Sequence, residues 1–375
     1  MRRTSPLILG GGPAGSAAAI TLLRAGIRPL IVERTRDTGD AICGGFLSWR
    51  SLESLARLGI AADDLNRARV TRLRLFAGGR CATSPLPHPA IGVSRRRLDA
   101  CMLAQAEASG ARVERGVAVR ALEDGHVRLA DGAMLTSEAI FLATGKHDVR
   151  GSARPGSARG SDPTLGLRVR LAPSPALDRL IGDGIELHLF DRGYAGVVRH
   201  EDGSANICLA VHRSRLGDAP SPARWLATLG DECPALGERL AHAQREPSVD
   251  AIANVPYGWH ARGTTAGLFR LGDQAGVIPS LAGEGMSIAI ASGIVAAQHV
   301  ARGDSAQSYQ RRFAQRLTRP LTLAGAIRRL AERPATARWL VSTASVAPSL
   351  ADLLARLTRI SHSPVDVART DPHIM

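Results

Sequence analysis

The sequence predicts an α/β fold with a parallel sheet, a separate antiparallel sheet and a helical C-terminal region. Residues 6–32 alternate strand, helix and strand, which is the unit that builds parallel sheets. Residues 164–211 contain four short apolar runs that are separated by turn residues and lack a long helical pattern. Residues 305–375 show a mostly helical pattern, in which we expect breaks at Pro320 and Pro334.

The composition indicates a globular protein of two or three structural units, at roughly 150 residues per domain for a chain of 375 residues. The net charge of +14 is almost wholly due to arginine, since Lys146 is the only lysine, and it permits contact with a membrane surface or an acidic carrier protein. Aromatic residues make up only 3%, which argues against a nucleic-acid partner. The five cysteines form no C-x-x-C pair, so we expect no disulfide framework and no metal site, and we predict a cytoplasmic protein.

The first structural unit begins with an apolar strand at residues 6–9 and a helix of small residues at 14–25, which Gly26 ends. A second strand follows at 29–32 and is closed by Glu33. The later elements are predicted, in chain order, as a helix at 49–58, a strand at 72–76, a helix at 98–109, a hairpin over 118–129 that turns at Asp124 and Gly125, a strand at 138–144, a linking loop at 150–163, strands at 166–171, 185–190, 194–198, 205–211 and 268–271, and a helix at 283–300.

The segment between the first strand and its helix, residues 10–15, has the pattern G-x-G-x-x-G. In this pattern Gly10 permits a tight turn, Gly12 lets the backbone approach a diphosphate, and Gly15 lets the helix pack closely on the strand. The free amides at the helix N-terminus favour the anionic diphosphate. Glu33 can accept hydrogen bonds from a ribose that has no 2′-phosphate, so the motif predicts FAD or NAD rather than NADP.

A second glycine-rich segment favours FAD over NAD. Gly272 and Asp273 follow a predicted strand far from the first motif, and a helix opens at residues 283–286. A long ligand with a polyol between its diphosphate and its redox ring explains both turns. Asp273 would bind the ribityl hydroxyls, and the amides near Gly285 and Met286 would face the O2/N1 edge of a flavin.

With both motifs, the sequence resembles the FAD-dependent oxidoreductases that include p-hydroxybenzoate hydroxylase-like monooxygenases and geranylgeranyl reductases. In this group an Arg-x-x-Leu-Asp segment, here residues 95–99, contacts FAD together with the two glycine turns. The resemblance implies a Rossmann-like FAD-binding domain made of residues 1–162 and 262–304, an inserted antiparallel β-sheet substrate domain at 163–261, and a helical C-terminal region at 305–375. The expected cofactor contacts are Gly10, Gly12, Pro13, Ala14, Gly15, Glu33, Arg34, Cys43, Gly44, Arg95, Ala143, Thr144, Gly145, Gly272, Asp273, Gly283, Gly285 and Met286.

Within this group the sequence is most similar to the geranylgeranyl reductase branch. Residues 41–48, which contain Cys43, resemble the Cys-Gly-Gly segment that passes close to the flavin ring in that branch. Gly276 stands where many aromatic hydroxylases have a histidine, and the Trp-x-Trp-x-Ile-Pro motif of flavin halogenases is absent. Residues 144–148 replace an Asp-Gly pair that contacts both FAD and NAD(P)H in the hydroxylases, so NAD(P)H stays open only as an external electron donor.

The resemblance implies transfer of a hydride between FAD and a hydrophobic substrate of isoprenoid, polyketide or quinone-like type. Cys43, Tyr194 and Lys146 are the candidate catalytic residues; a buried thiol, a tyrosine packed on a sheet and a solvated loop lysine are the alternative interpretations. A monooxygenase that acts through a flavin hydroperoxide is an alternative function, and a non-catalytic flavin-binding module is a second one. The sequence does not indicate an oligomeric state.

Overall fold

A computed structural model describes residues 5–123, 125–217, 221–243 and 248–347, together with Leu357 and Arg359. The strands in this part of the chain are β1 (Leu7–Leu9), β2 (Leu30–Glu33), β3 (Phe46–Leu47), β4 (Val70–Ala77), β5 (Arg80–Gly92), β6 (Arg112–Arg115), β7 (Val119–Glu123), β8 (His126–Leu129), β9 (Met134–Thr136), β10 (Ile140–Leu142), β11 (Thr164–Leu171), β12 (Gly184–Phe190), β13 (Gly193–Arg199), β14 (Ala205–His212), β15 (Val249–Val255) and β16 (Leu268–Arg270). The helices are α1 (Pro13–Arg24), α2 (Trp49–Arg57), α3 (Ala62–Leu65), α4 (Arg95–Ala108), α5 (Pro175–Ile181), α6 (Arg213–Leu216), α7 (Pro222–Glu232), α8 (Pro234–Leu240), α9 (Gly285–Ala301), α10 (Ala306–Ala331) and α11 (Pro334–Val346).

The first sheet is parallel and has the strand order β16-β10-β1-β2-β6. Leu7 of β1, the middle strand, lies opposite Ile140 of β10 and Leu30 of β2. All residues of β1 and β10 are buried, as expected for strands that are covered on both faces. Because parallel strands end at the same edge of a sheet, β16 places Gly272 at the edge where β1 ends at Gly10.

Helices α1 and α9 pack so closely that their contact depends on small residues. A Cβ atom on Gly293 of α9 would overlap the carbonyl oxygen of Ala14 in α1. Ala17 and Ala18, on the next turn of α1, are fully buried. The beginning of α1 thus lies against the middle of α9.

The second sheet is mixed, with the order β15-β11-β14-β13-β12-β4-β5-β3. Its neighbours are antiparallel except β12 and β4, which run parallel. The four strands predicted at residues 164–211 are its β11 to β14, so the predicted α/β class with two different sheets is confirmed. Strands β3, β4 and β5 come from residues 46–92. The sequence does not indicate that this segment belongs to the mixed sheet. The domain boundaries after residues 162 and 261 stay a prediction.

Strand β5 has 13 residues, yet it is not evident in the sequence because it contains Pro85, Pro87 and Pro89. Proline lacks the amide that a sheet needs and is confined to edges and bulges. The pairing of β4 with β5 shifts in register so that Arg72 lies opposite Pro85 and Val70 lies opposite Ala90. The other two prolines therefore lie in a bulge, where no paired amide is required.

Helices α5, α7 and α8 lie within residues 163–261, for which the resemblance implies a β-sheet domain. Trp225 and Leu229 of α7 are buried in one cluster with Ile207 and Val211 of β14. Side chains alternate between the two faces of a strand, so Asn206 and its face of β14 point the other way. The helices thus cover one face of the mixed sheet and leave the other for a site.

Helix α10 runs through Pro320, so the predicted break at that residue is wrong. An interior proline costs about 3 kcal/mol because it removes one hydrogen bond of the helix. Phe313, Leu317 and Leu321 are buried along the same helix, and their packing offsets that cost. Pro334 does separate two helices, since it is the first residue of α11, where its missing amide costs nothing.

Two sequence predictions fall partly outside the described residues. The hairpin at 118–129 is confirmed as β7 and β8, although Asp124 in its predicted turn is not among the described residues. The helical pattern beyond residue 347 lies outside them as well, apart from the two residues named above. Across the part of the chain that the structure describes, no helix combines the length and the hydropathy needed to cross a membrane.

Candidate active site

A cavity of about 1030 Å³ extends from the glycine turn after β1 to the inner face of the mixed sheet. Every residue predicted to bind the cofactor lines this cavity, except Gly15. The predicted catalytic residues Cys43, Tyr194 and Lys146 line it as well. The tertiary structure thus brings together residues from both sheets and from both ends of the chain.

The glycines of the first turn have different surroundings. A Cβ on Gly10, whose φ is +109°, would lie 2.6 Å from the carbonyl oxygen of Ala143. A Cβ on Gly15 would overlap the carbonyl oxygen of Gly10, so Gly15 packs inside the turn instead of lining the cavity. A Cβ on Gly12 would have Arg95 Nη2 as its nearest neighbour, at 3.6 Å, so the space in front of Gly12 is open.

Hydrogen bonds hold the carboxylate of Glu33 against the glycine turn. Its Oε2 accepts a hydrogen bond of 2.8 Å from the amide of Gly11. Its Oε1 accepts hydrogen bonds from the amide and the hydroxyl of Thr35, at 3.0 and 2.9 Å. A carboxylate has about four acceptor positions, so Glu33 can still accept hydrogen bonds from a ribose.

Two ion pairs lie beside the turn. Arg95 binds Asp99 through two hydrogen bonds of 2.8 and 2.7 Å. Burial opposes the charge of Arg95, but Asp99 overcomes this effect and raises the pKa of Arg95 above its usual range. Lys146 Nζ lies 3.2 Å from Asp273 Oδ2, and this carboxylate raises the pKa of Lys146. Both bases therefore stay protonated and can face an anionic ligand.

The N-terminus of α9 opens into the cavity. Gly283 precedes it with a φ of +66°, and a Cβ there would lie 2.9 Å from the ring of Phe46. A Cβ on Gly285 would meet no atom within 4 Å. Glu284 is fully buried at the helix cap; Ser48 donates a hydrogen bond of 2.8 Å to it, and burial raises the pKa of Glu284. The first amides of α9 thus face open space, which favours negative charge on a ligand.

The segment that contains Cys43 is held against the mixed sheet by polar side chains. Arg168 Nη1 donates a hydrogen bond of 3.0 Å to Asp40 Oδ2, and Arg170 forms a second ion pair with the same carboxylate. Asn206 Nδ2 donates to the carbonyl oxygens of Cys43 and of the next residue, both at 3.0 Å. These contacts fix the position of Cys43 at the cavity wall.

Only some of the residues that hold the segment of Cys43 could be found from the sequence. Arg168 and Arg170 occupy alternate positions of an otherwise apolar strand, so they share one face of it. Such a pair predicts a buried acidic partner, because buried charges must be neutralised. The sequence does not indicate that the partner is Asp40, which lies in a loop far from β11.

His200 packs against the segment that contains Cys43, and it makes the contacts that hold this segment sensitive to pH. Its Nδ1 lies 2.6 Å from Arg170 Nη1, and a Cβ on Gly45 would overlap its ring. Burial, together with Arg170, lowers the pKa of His200 from 6.5 to about 4. The unfolded chain therefore takes up a proton at a higher pH than the folded chain does, so folded-state stability falls as the pH drops through this window.

We expect the free energy of unfolding to decrease by about 3 kcal/mol between neutral pH and pH 4 through His200 alone. His200→Asn keeps an acceptor for Arg170 but cannot take up a proton, so it removes this part of the pH dependence. Urea denaturation at a series of pH values measures the difference. His126→Asn, at an exposed histidine, is the control. An unchanged pH dependence in His200→Asn would contradict the expectation.

Three hydroxyl groups are hydrogen-bonded in a row at the cavity wall. Tyr257 Oη donates to Ser280 Oγ at 2.9 Å, and Ser280 Oγ lies 2.7 Å from Tyr194 Oη. The amide of Leu281 also donates to Tyr194 Oη, at 3.2 Å. Ser280 accepts from Tyr257, and in its hydrogen bond with Tyr194 either hydroxyl can be the donor, so this row of hydroxyls can carry a proton to Tyr194. Tyr194 is predictable from the sequence, whereas Ser280 and Tyr257 are not.

Burial keeps both phenols of this row protonated. It raises the pKa of Tyr194 well above 10 and that of Tyr257 to about 12. A phenol can therefore act as a hydrogen-bond donor or proton donor here throughout the neutral range.

Most of the remaining cavity wall between the mixed sheet and the C-terminal helices is apolar. Leu73 and Leu75 of β4 line it together with Leu187 of β12, which lies opposite Leu75 in the parallel pair. The C-terminal helices α10 and α11 contribute Ile327, Ala331, Leu340 and Ala344. An apolar compartment of this kind accepts a hydrophobic molecule beside the anion-binding helix ends.

Comparison with known proteins assigns the cofactor. Residues 3–138, which include the first glycine turn, Glu33 and the segment 95–99, match the family described as FAD binding domain. Menaquinone reductase of Mycolicibacterium smegmatis is 27% identical over 379 residues, which cover 96% of this chain and 91% of that protein. The chain is an FAD-dependent oxidoreductase. Chloroplastic geranylgeranyl diphosphate reductase of Arabidopsis thaliana is 35% identical over a shorter stretch of 121 residues. This stretch covers 31% of this oxidoreductase and 25% of that protein.

Solved structures share the fold of this oxidoreductase. The flavin-dependent brominase Bmp2 superposes with a TM-score of 0.72 at 16% identity, over 95% of this chain and 93% of that chain. A geranylgeranyl bacteriochlorophyll reductase-like protein from Thermoplasma acidophilum superposes with a TM-score of 0.70 at 19% identity, over 91% of each chain. FAD as the cofactor and the resemblance to the group that includes geranylgeranyl reductases are thus confirmed.

Proposed function

We propose that this oxidoreductase reduces an unsaturated lipid of the isoprenoid or prenylated quinone class. The observation that supports the proposal most is the apolar compartment, which continues directly from the glycine turns and the helix ends. A hydrocarbon chain is stabilised there by about 0.8 kcal/mol for each buried methylene group. Menaquinone and geranylgeranyl diphosphate, after which the two relatives are named, both contain an isoprenoid chain.

We also propose how the chain holds FAD. The open backbone at Gly12 and the beginning of α1 would bind the diphosphate, and Glu33 would accept the hydroxyls of the adenosine ribose. Asp273 would bind the ribityl chain, and the first amides of α9, at Gly285 and Met286, would face the O2/N1 edge of the ring. The open space at Gly12 and Gly285 supports this placement. The other cofactor contacts stay predictions.

Bound FAD supplies the hydride. The residues of the chain position the substrate, exclude water and supply the proton that must accompany the hydride. Tyr194 is the proposed proton donor because it lines the cavity, and Ser280 and Tyr257 can replace a donated proton along their hydrogen bonds. Lys146 is paired with Asp273 and serves as a fixed positive charge in this proposal. Cys43 stays a predicted contact of the substrate or flavin.

The proposal is tested with the holoprotein, reduced by dithionite in the absence of oxygen and mixed with menaquinone or geranylgeranyl diphosphate. We expect the absorbance of oxidised flavin to return when substrate is added, and the mass of the product to show a gain of two hydrogen atoms. A product that gains an oxygen atom and forms only in air would instead support the monooxygenase. Flavin that no substrate reoxidises would support the non-catalytic binding module.

A variant in the apolar compartment separates substrate binding from cofactor binding. Leu187→Arg places a charge among the leucines, away from the glycine turn. We expect this variant to retain FAD and to lose reoxidation by the lipid. Met134→Arg, at an exposed residue of β9, is the matched control and is expected to keep both properties. Equal activity of the two variants would contradict the assignment of the compartment.

A further inference from the structure

Helix α11 has apolar side chains on both of its faces. Ala337, Val341 and Ala344 are buried against the mixed sheet, as expected for an amphipathic helix. Trp339 and Val346, seven positions apart and hence on one face, are 59% and 86% exposed. A tryptophan on the exposed face of a short helix costs hydrophobic free energy unless something else covers it.

Arginines lie along this exposed face. Residues 306–346, which span α10, α11 and the two residues between them, contain eight arginines and one acidic residue, Glu332. That carboxylate is buried and bound to Arg328 at 2.6 Å, so it does not neutralise the surface. Arg333 and Arg338 are exposed and form no ion pair with a described residue. Exposed Arg80 donates a hydrogen bond to Ser342 of α11 and adds a further charge beside it.

The same face borders the opening of the cavity. Trp339 lines the cavity although more than half of it is exposed, so it stands at the rim. Thr343, one helical turn further on, also lines the cavity. A molecule that enters the apolar compartment at this rim passes Trp339 and Thr343.

We propose that the outer face of α11 docks on an anionic lipid bilayer. Trp339 and Val346 enter the interface between headgroups and acyl chains, and the arginines contact the negative headgroups. An acidic soluble carrier protein would match the charge of the arginines, but it would provide no apolar layer into which Trp339 and Val346 could insert. Docking places the rim of the cavity against the acyl chains. The proposal rests on the proposed function only in that the substrate is a lipid.

The test measures co-flotation of the flavin-loaded full chain with vesicles of phosphatidylcholine, with and without phosphatidylglycerol, and with no substrate present. We expect binding to the anionic vesicles, weaker binding at high salt, and little binding to neutral ones. The double variant Arg338→Glu/Val346→Glu is expected to bind at least tenfold more weakly, since each basic residue near an anionic surface contributes about fivefold. Neither residue lines the cavity.

The matched control is Arg120→Glu/Met134→Glu, which changes the net charge equally at exposed residues of β7 and β9. We expect it to bind anionic vesicles as the unchanged protein does. Equal losses in both double variants, or full binding by the α11 variant, would overturn the proposal. A dimer in light scattering that the α11 variant dissociates would also overturn it, because a second copy would then cover this face. Thermal unfolding and flavin content show that each variant is folded.

The vesicle-binding test and the activity test can give negative results independently of each other. A protein that binds anionic vesicles but reduces no lipid leaves the docking surface standing and contradicts the proposed function. A protein that reduces detergent-dispersed lipid but ignores vesicles keeps the function and contradicts the docking surface.

Discussion

Gly12→Ala is expected to give a folded protein that is colourless after desalting. The backbone at Gly12 has a φ of −70°, which any residue adopts, so alanine causes no strain. The added methyl group would have its nearest neighbour, Arg95 Nη2, at 3.6 Å, which is an ordinary contact. It would, however, occupy the space in which the diphosphate of FAD approaches the backbone.

The loss is large because the diphosphate is charged. Hydrogen bonds to charged groups contribute about 1.5–3 kcal/mol each, so displacement of one or two of them weakens FAD binding by roughly tenfold to somewhat more than ten thousandfold. Titration of the apoprotein with FAD, followed by flavin fluorescence, measures the change. We expect the melting temperature of the apoprotein to stay unchanged.

Two other glycines serve as controls for this substitution. Gly263→Ala adds a methyl group that meets no atom within 4 Å, away from the cavity, and is expected to bind FAD normally. Gly15→Ala would overlap the carbonyl oxygen of Gly10, so it is expected to lower the stability of the apoprotein as well. Normal FAD affinity in Gly12→Ala would show that the diphosphate lies elsewhere.

Tyr194→Phe is expected to lower kcat by about 10²- to 10⁴-fold, the usual contribution of a positioned proton donor. The ring remains, so the packing under the mixed sheet is kept, and KM and FAD content are expected to stay near their original values. Because burial raises the pKa of Tyr194 well above 10, the unchanged enzyme loses no activity through this group from neutral pH to about pH 10. Pre-steady-state flavin reoxidation in H₂O and D₂O measures the step.

Tyr309→Phe is the matched control for the loss of a buried hydroxyl. Tyr309 Oη donates a hydrogen bond of 3.0 Å to the carbonyl oxygen of Arg270 and lies in the core, away from the cavity. We expect this variant to lose stability and to keep kcat. If Tyr194→Phe kept both kcat and the solvent isotope effect, Tyr194 would not be the proton donor.

The proposed cofactor-binding half of the cavity could be outlined from the sequence because its determinants are local. Gly10, Gly12 and Gly15 lie within one turn, and their roles follow from backbone geometry alone. Glu33 follows the next strand, and its contact with the turn results from the parallel pairing of β1 and β2. Asp273 could also be predicted, since a glycine and an acidic residue directly after a strand form a short sequence pattern.

The proposed substrate half of the cavity was far less predictable. The row of Tyr194, Ser280 and Tyr257 joins three segments whose meeting depends on how the mixed sheet packs against the loop before α9. Pro85 and its neighbouring prolines conceal β5, because a bulge tolerates residues that a regular strand excludes. Pro320 was expected to end a helix, yet burial of the surrounding apolar side chains outweighs its local cost.

The amino-acid sequence by itself determined the α/β class, the coenzyme and the two glycine turns that we propose to bind it, since hydrophobic periodicity and glycine geometry act over a few residues. Only the tertiary structure decided that residues 46–92 complete the mixed sheet, that Arg168 and Arg170 hold the segment of Cys43, and that α11 stands at the rim of the cavity. These features depend on burial and charge neutralisation between groups that are distant along the chain. These interactions contribute to stability only after folding has brought the groups together.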